Sequence, residues 1–176
     1  MVKILSKDFF NKPTITVAKK LLGKFLVRRY RGKRIVLMIT EVEVYDGPQD
    51  KASHASRGKT ARNEPMFGEA GRFYVYFTYG IHWLVNVVTG PKGYPAAILF
   101  RAGRTLEGKD IIGPARLTKY LKIDGKLTGK LAGRRTGLWF EDHGIKIRPS
   151  HIKRGPRVGV DYAGSWAKKP YNLKLL

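Results

Sequence analysis

Thr40-Glu41-Val42-Glu43-Val44-Tyr45 sets two carboxylates two residues apart and follows them with a tyrosine. Downstream lie His54-Ala55-Ser56-Arg57-Gly58, then Arg62-Asn63, then the aromatic run Phe73-Tyr74-Val75-Tyr76-Phe77-Thr78-Tyr79-Gly80. A carboxylate can serve as a general base toward water, and aromatic faces can stack a flat ring. The combination points to hydrolytic chemistry on a flat substrate carried by a charged backbone. Each residue also has a plainer use. Strand aromatics mostly fill cores, an acid near a strand end mostly pairs with Lys or Arg, and a lone histidine is mostly a loop or core residue.

The rest of the chain narrows the partner. Among 176 residues, 35 Lys and Arg face 13 Asp and Glu, a formal charge of +22. Such an excess speeds association with polyanions and favours counterion release from phosphate backbones. A ribosome-associated or other RNA-binding module would carry the same charge. With 43% hydrophobic residues the chain is globular, and its length predicts one domain over residues 1–176. There is no cysteine, and His54, His82, His143 and His151 have no close metal-ligand spacing. Neither a metal nor a cofactor is expected. No apolar run is long enough to span a bilayer and the N-terminus has no signal-like core, so a cytoplasmic protein, away from membranes, is expected.

Periodicity supplies the elements that must position these groups. Residues 6–23 form a helix-rich lead-in, with a start at Pro13-Thr14, an apolar stripe at Val17, Ala18, Leu21 and Leu22, and a C-terminal stop at Gly23. Residues 24–45 make two strands around a basic turn, Arg28-Arg29-Tyr30-Arg31-Gly32-Lys33-Arg34. Strict alternation along the second strand puts Ile39, Glu41, Glu43 and Tyr45 on one face, and Thr40, Val42 and Val44 on the core face. Residues 46–71 are a long irregular connection of the kind that often carries function. Residues 72–89 make a β-hairpin with its turn near Tyr79-Gly80, and Asn86 needs a partner within the apolar return strand. Pro95–Phe100 is a strand ending at Arg101, and Gly113-Pro114 opens a short helix. Residues 122–137 show no clear period. By spacing alone Glu41 and Glu43 are indistinguishable.

At these residues the chain resembles the alkyladenine (3-methyladenine) DNA glycosylase family. The matching motifs are Thr40–Tyr45, Ser53-His54 with Arg57-Gly58, Arg62-Asn63 with Met66-Phe67-Gly68, Tyr74–Gly80, Asn86–Thr89 and Leu99-Phe100-Arg101. Phe9-Phe10, Pro13-Thr14, Leu21-Leu22-Gly23, Gly113-Pro114 and Arg157-Val158-Gly159-Val160 fit as well. The likeness is in order and spans nearly the whole chain. Ala61 stands where a proline is usual, Gly103-Arg104-Thr105 replaces a more acidic stretch, and residues 122–150 match weakly.

The resemblance implies a mixed α+β domain: a curved, mainly antiparallel sheet flanked by helices, with a protruding β-hairpin. It implies a monomeric, monofunctional glycosylase that acts on damaged purines in double-stranded DNA, alkylated or deaminated, and leaves an abasic site. Flipping the base out of the duplex costs about a few kcal/mol. Tyr79 would fill the gap as a wedge, with Ile81 and His82 against the minor groove. Tyr45 and Tyr76 would sandwich the base, His54 would contact its edge or a phosphate, Leu99 would line its pocket, and Asn86 would exclude the 2-amino group of guanine. Glu43 would activate water, with Arg101 keeping it ionised and the Val158 carbonyl as a further water ligand. Backbone contacts would fall to Arg57, Lys59, Arg62, Lys168 and Lys169. Two rivals remain at the sequence level: a non-catalytic RNA- or ribosome-binding module, and a hydrolase of free nucleosides or nucleotides that needs no wedge.

Overall fold

The computed structural model describes residues 2–176. In chain order the strands are β1 (Lys3–Ile4), β2 (Phe25–Tyr30), β3 (Lys33–Asp46), β4 (Phe73–Thr78), β5 (His82–Val88), β6 (Ala96–Thr105), β7 (Asp110–Ile112), β8 (Leu138–Asp142), β9 (Ile152–Gly155) and β10 (Asn172–Leu175). The helices are α1 (Lys7–Phe10), α2 (Thr14–Leu21) and α3 (Pro114–Tyr120). The fold is mixed α+β, as expected. One antiparallel sheet runs β1-β8-β2-β3-β6-β5-β4; β10 joins the β3 edge beyond β2, β9 pairs with β10, and β7 pairs with β6.

The two faces of the central strands divide the labour. Val42 and Val44 of β3, Phe73 and Val75 of β4, Val85 and Val87 of β5, and Ile98 and Phe100 of β6 enter the main core. There they meet α1, α2 and α3 through Phe10, Val17, Ala18, Leu21, Leu117 and Leu121. The ring of Phe140 lies 5.0 to 5.8 Å from those of Phe10, Phe100 and Phe73, which ties β8 and α1 to the sheet. The alternate residues, Glu43, Tyr45, Tyr74, Tyr76, Asn86 and Leu99, look the other way, into a cavity.

This division corrects one expectation. Ile39 does not share a face with Glu41 and Glu43; it packs in the main core with Val42 and Val44. The ladder between β3 and β6 is irregular between Ile39 and Val42, and the strands change phase there together. On β6 the change falls between Phe100, which is in the core, and Gly103, whose missing side chain would point at Leu37 of the same core. A bulge-like irregularity re-aims side chains in this way. It lets one continuous strand supply core residues at both ends and carboxylates between them. Arg101 lies inside β6 rather than at its end, because the strand continues to Thr105.

The lead-in is two short helices, and the positive φ of Gly23 (79°) ends α2 before its N–H bonds the Ile39 carbonyl. The hairpin β4–β5 follows the expected bounds and pairs with β6 only as far as Asn86, so its tip stands clear of that strand. The irregular connection holds two 3-10 turns, His54–Arg57 and Glu64–Phe67.

The phase change rests on the absence of a side chain at Gly103. A Cβ there would lie 2.5 Å from Leu37 Cγ and 2.7 Å from the Met38 carbonyl oxygen. Gly103→Ala is expected to lower stability by about 1–3 kcal/mol, since backbone has to shift to admit the methyl. Urea unfolding of parent and variant measures it.

Candidate active site

The cavity on the outer face has a volume of about 350 Å³. Glu43, Tyr45, His54, Tyr76, Tyr79, Asn86, Leu99, Arg101 and Val158 all line it. They come from β3, β4, β5, β6, the hairpin turn and two loops, so the fold alone brings them together.

Glu43 is fully buried, and its carboxylate accepts from donors on several elements. Oε1 takes the Val158 backbone N–H at 2.8 Å and Asn172 Nδ2 at 3.2 Å, with Arg101 Nε at 3.5 Å. Oε2 takes only the Tyr45 hydroxyl, at 3.1 Å. A carboxylate has about four acceptor positions, so Oε2 keeps capacity for a water in the cavity. Glu41 differs. It is 9% exposed, does not line the cavity, and binds Arg101 Nε at 3.2 Å and Asn172 Nδ2 at 2.9 Å. Spacing could not separate the two acids; burial against the cavity wall does. Arg101 is closer to Glu41 than to Glu43.

Tyr45 is held from behind. The Arg157 guanidinium lies 4.8 Å from its ring centroid and makes a bidentate pair with Asp50 at 2.6 and 2.9 Å. Both charged groups are buried, and Arg157 also donates to the Val44 and Trp166 carbonyls. Burial, then the Glu43 charge, pushes the Tyr45 phenol well above its ordinary range. Tyr76 is flanked by His54, Tyr74 and the Arg62 guanidinium, at 4.7, 5.1 and 5.2 Å. Burial raises its phenol too, and raises that of Tyr74 to about 12. Burial followed by the Arg62 charge lowers the His54 imidazole below its ordinary value, so the ring is neutral at pH 7 with Nδ1 2.9 Å from the Tyr74 hydroxyl. Asn86 Nδ2 donates to the Tyr74 carbonyl at 3.0 Å, which satisfies the strand amide while the residue still lines the cavity.

Tyr79 occupies the hairpin turn with φ 52°, followed by Gly80 at 67°, and is 90% exposed. Two positive-φ residues fit the right-handed twist of a hairpin, but a tyrosine there costs about 1–2 kcal/mol that glycine or asparagine avoids. Ile81 and His82 are exposed beside it. Of the expected backbone contacts, Arg57 and Arg62 line a polar cleft next to the cavity together with Lys51 and Thr60. Arg62 Nη2 also donates to the Phe77 carbonyl. Lys59 is ion-paired to Glu64, Lys169 lies over Trp166, and Lys168 is exposed.

The profile of the family described as Methylpurine-DNA glycosylase (MPG) matches residues 8–175. The chain belongs to this family. It is 42% identical to a provisionally named 3-methyladenine DNA glycosylase of Methanocella arvoryzae, over 97% of this chain and 91% of that one. Relatives with the same name from Streptomyces avermitilis and Anaeromyxobacter dehalogenans are 42% and 43% identical, over 91% and 97% of this chain and 83% of each of theirs. The activity of the family is hydrolytic, and its substrate is DNA. No helix among the described residues is long and apolar enough to cross a membrane.

Sequence reasoning missed several parts of the site. Asn172 bridges Glu41 and Glu43 from β10, a strand too short and too mixed to be recognised. Asp50 and Arg157 support Tyr45 although their positions are more than a hundred apart. Asn63, quoted only as part of a motif, clamps the loop by donating to the His54 and Gly58 carbonyls and accepting from Thr60 N–H. Tyr162 lines the cavity and bonds the Ala52 carbonyl at 3.3 Å.

Two predictions follow from burial. Asp50→Ala leaves the Arg157 charge buried without its partner and is expected to cost about 3–5 kcal/mol, read from the urea midpoint. The second concerns alkaline pH. The folded Tyr74 phenol titrates near 12 against an ordinary 10, so its contribution is complete below pH 10 and is lost as pH rises toward 12. Stability is therefore expected to decline over that window, and Tyr74→Phe to make the decline shallower, measured by denaturant unfolding at each pH.

Proposed function

We propose that this chain flips an alkylated or deaminated purine out of duplex DNA into the cavity and hydrolyses its N-glycosidic bond with a water held by Glu43, leaving an abasic site. The observation that carries the reading is the buried Glu43 carboxylate at the wall of a cavity framed by Tyr45 and Tyr76, with Oε2 less occupied than Oε1. At about 350 Å³ the cavity sits at the small end of ligand pockets, which run from about 300 to 1,000 Å³. That suits a single ring system better than a nucleic acid strand.

Each step has a residue. The exposed Tyr79 enters the stack as the base leaves it, and Ile81 and His82 follow into the minor groove. Tyr45 and Tyr76 stack the flipped ring, each face worth about 1–3 kcal/mol. The buried Arg157–Asp50 pair fixes Tyr45, so little ordering is left to occur on binding. His54, neutral and oriented by Tyr74, offers Nε2 to the base edge or a phosphate. Asn86, its amide tied to Tyr74, crowds a 2-amino group, and Leu99 closes the wall. Glu43 orients and deprotonates water through Oε2 as the bond to the sugar breaks, and its charge stabilises the developing oxocarbenium ion. The Val158 carbonyl can accept the water's other hydrogen. Arg57, Lys59, Arg62, Lys168 and Lys169 meet the phosphates. Among the described residues no lysine lines the cavity, so nothing there favours a Schiff-base route over water.

The names of the relatives specify 3-methyladenine, and we extend that substrate to this chain. Cationic alkylated purines leave without protonation, whereas neutral hypoxanthine needs acid assistance, so the cationic class is expected to react faster. The chain acts as a monomer on the duplex.

Single-turnover base release from duplexes carrying 3-methyladenine, ethenoadenine or hypoxanthine tests this, with undamaged duplex alongside. The parent is expected to release base and leave alkali-labile sites. Glu43→Gln is expected to lose at least about a hundredfold in rate while still binding lesion duplex. Tyr79→Ala is expected to bind lesion duplex more weakly without losing the fold. Release by Glu43→Gln near the parent rate would remove Glu43 from the mechanism. Tight, salt-sensitive binding without release by the parent would favour a non-catalytic module.

A further inference from the structure

Glu41 is a nearly buried acid beside the reacting carboxylate, and the mechanism above gives it no task. Its surroundings are specific. Asn172 Nδ2 lies 2.9 Å from Glu41 Oε1 and 3.2 Å from Glu43 Oε1. Arg101 Nε lies 3.2 Å from the same Glu41 oxygen and 3.5 Å from the same Glu43 oxygen. One amide and one guanidinium therefore stand between two carboxylate oxygens, each nearer to Glu41. Lys174 Nζ approaches Glu41 from the far side at 3.9 Å. The register explains the arrangement, because β10 sets Asn172 opposite Glu43 and Lys174 opposite Glu41. Two residues apart on β3, the acids lie on the same side of the strand, and the ladder with β6 is irregular on both sides of Glu41.

We infer that Glu41 is a positioning residue that sets the basicity of Glu43 by competing with it for Arg101 and Asn172. The inference rests on the general-base reading of Glu43. A carboxylate with sole possession of a guanidinium and an amide is well stabilised as an anion and is a poor base. A second anion alongside takes the larger share of both donors and adds its own repulsion. Glu43 then stays anchored through the Val158 N–H while its affinity for a proton is kept up. The charged and titratable groups around Glu43 are Glu41 and Tyr45 on β3, Arg101 on β6, Lys174 of β10 beside Glu41, Arg157 behind the Tyr45 ring with its partner Asp50, and Tyr76 across the cavity. Of these, only Glu41 is both anionic and bound to the same two donors as Glu43. Glu41 does not line the cavity, so it acts through these donors and not on substrate.

The test is the pH dependence of single-turnover release of a cationic methylated purine, chosen so that protonation of the leaving base adds no second limb. Three variants are compared with the parent. Glu41→Gln keeps the shape and removes the charge. It is expected to move the acid limb to lower pH and to lower the plateau about three- to tenfold, because the base becomes weaker. Asn172→Ala removes a shared donor and no charge, and is expected to move the acid limb up. Opposite displacements are not produced by loss of folded protein, which lowers amplitude and leaves the limb in place. The inference is overturned if both variants keep the acid limb of the parent, or if both move it the same way. Glu43→Gln separates the two levels. Parent-like release by that variant overturns the general-base reading and this inference together. Loss of release there, with an unmoved limb in Glu41→Gln, overturns this inference alone.

Discussion

A carboxylate that sees no solvent has to be surrounded by donors, because an unpaired buried charge costs several kcal/mol. Glu43 meets that requirement with groups from four places: the Tyr45 hydroxyl on its own strand, Arg101 on β6, Asn172 on β10 and the Val158 N–H on the loop after β9. Much of the fold follows from gathering them. β10 has to lie against the β3 edge where β2 ends, and β6 has to run along the opposite edge. The loop at Val158 has to return over the strand, and the Arg157–Asp50 pair pins it there. The same pair supports the Tyr45 ring, so the residue after Arg157 anchors the Glu43 carboxylate and Arg157 itself braces the tyrosine wall of the cavity. Buried carboxylate and cavity wall are in this way held by one set of contacts.

For Ile39 to enter the same core as Val42 and Val44 the strand has to change phase between them. β3 does so between Ile39 and Val42, and β6 does so opposite, where Gly103 leaves room for Leu37. Alternation predicts that Val42 and Val44 are core and that Glu41, Glu43 and Tyr45 are not, and the structure agrees. Alternation also assigns Ile39 to the side of the acids, and there it fails. A phase change is made by two strands together, and the partner of β3 lies some sixty positions away. The aromatic hairpin was legible because its pattern, its turn and its length are all local. β8, β9 and β10 were not: β9 and β10 are short and mixed with polar or basic residues, and β8 has only three apolar residues before Glu141 and Asp142. Glu141 shows why. It sits in β8 as a buried acid satisfied by Trp139, Arg34 and His143, so an acid that ordinarily marks a strand end lies within this one. Asn172 and Asp50 were illegible for the same reason: their importance lies in partners more than a hundred positions distant. The family resemblance reached the cavity residues because those motifs are local runs.

The charge of the chain and its deep acids meet in one place. A formal +22 attracts a polyanion, yet the base proposed here is a carboxylate. Burial reconciles the two, because Glu43 presents no charge to solvent and is flanked by Arg101 and, through Tyr45, by Arg157. Other acids are likewise taken up by partners, Glu64 by Lys59, Glu69 by Lys7, Asp110 by Arg104 and Asp142 by Lys24. Under the proposed function the surplus cations then meet the backbone of DNA with little competition. Arg62 shows the arrangement at closest range, exposed on one side and lying against the ring of Tyr76 on the other.

The hairpin links this surface to the cavity. Tyr79 lines the cavity wall and is also the most exposed large apolar side chain of those in the described residues. Its positive φ is a strained choice for an aromatic residue, and strain of that kind persists where the surroundings over-determine it. Here the turn is closed by the Thr78 carbonyl accepting from Ile81 N–H at 3.2 Å, and the strand pair behind it is braced by Phe77 against Trp83. Trp83 is in turn held by α3, where Thr118 donates to its carbonyl at 2.7 Å. The wedge proposed for Tyr79 would need a stiff mount, because a mobile tip would lose conformational entropy on insertion. The hairpin beyond Asn86 has given up its pairing with β6 and gained the packing of α3 instead. That exchange takes the tip off the β6 edge while α3 packs behind it, and it places Tyr79, the side chain proposed to enter the duplex, at the wall of the cavity.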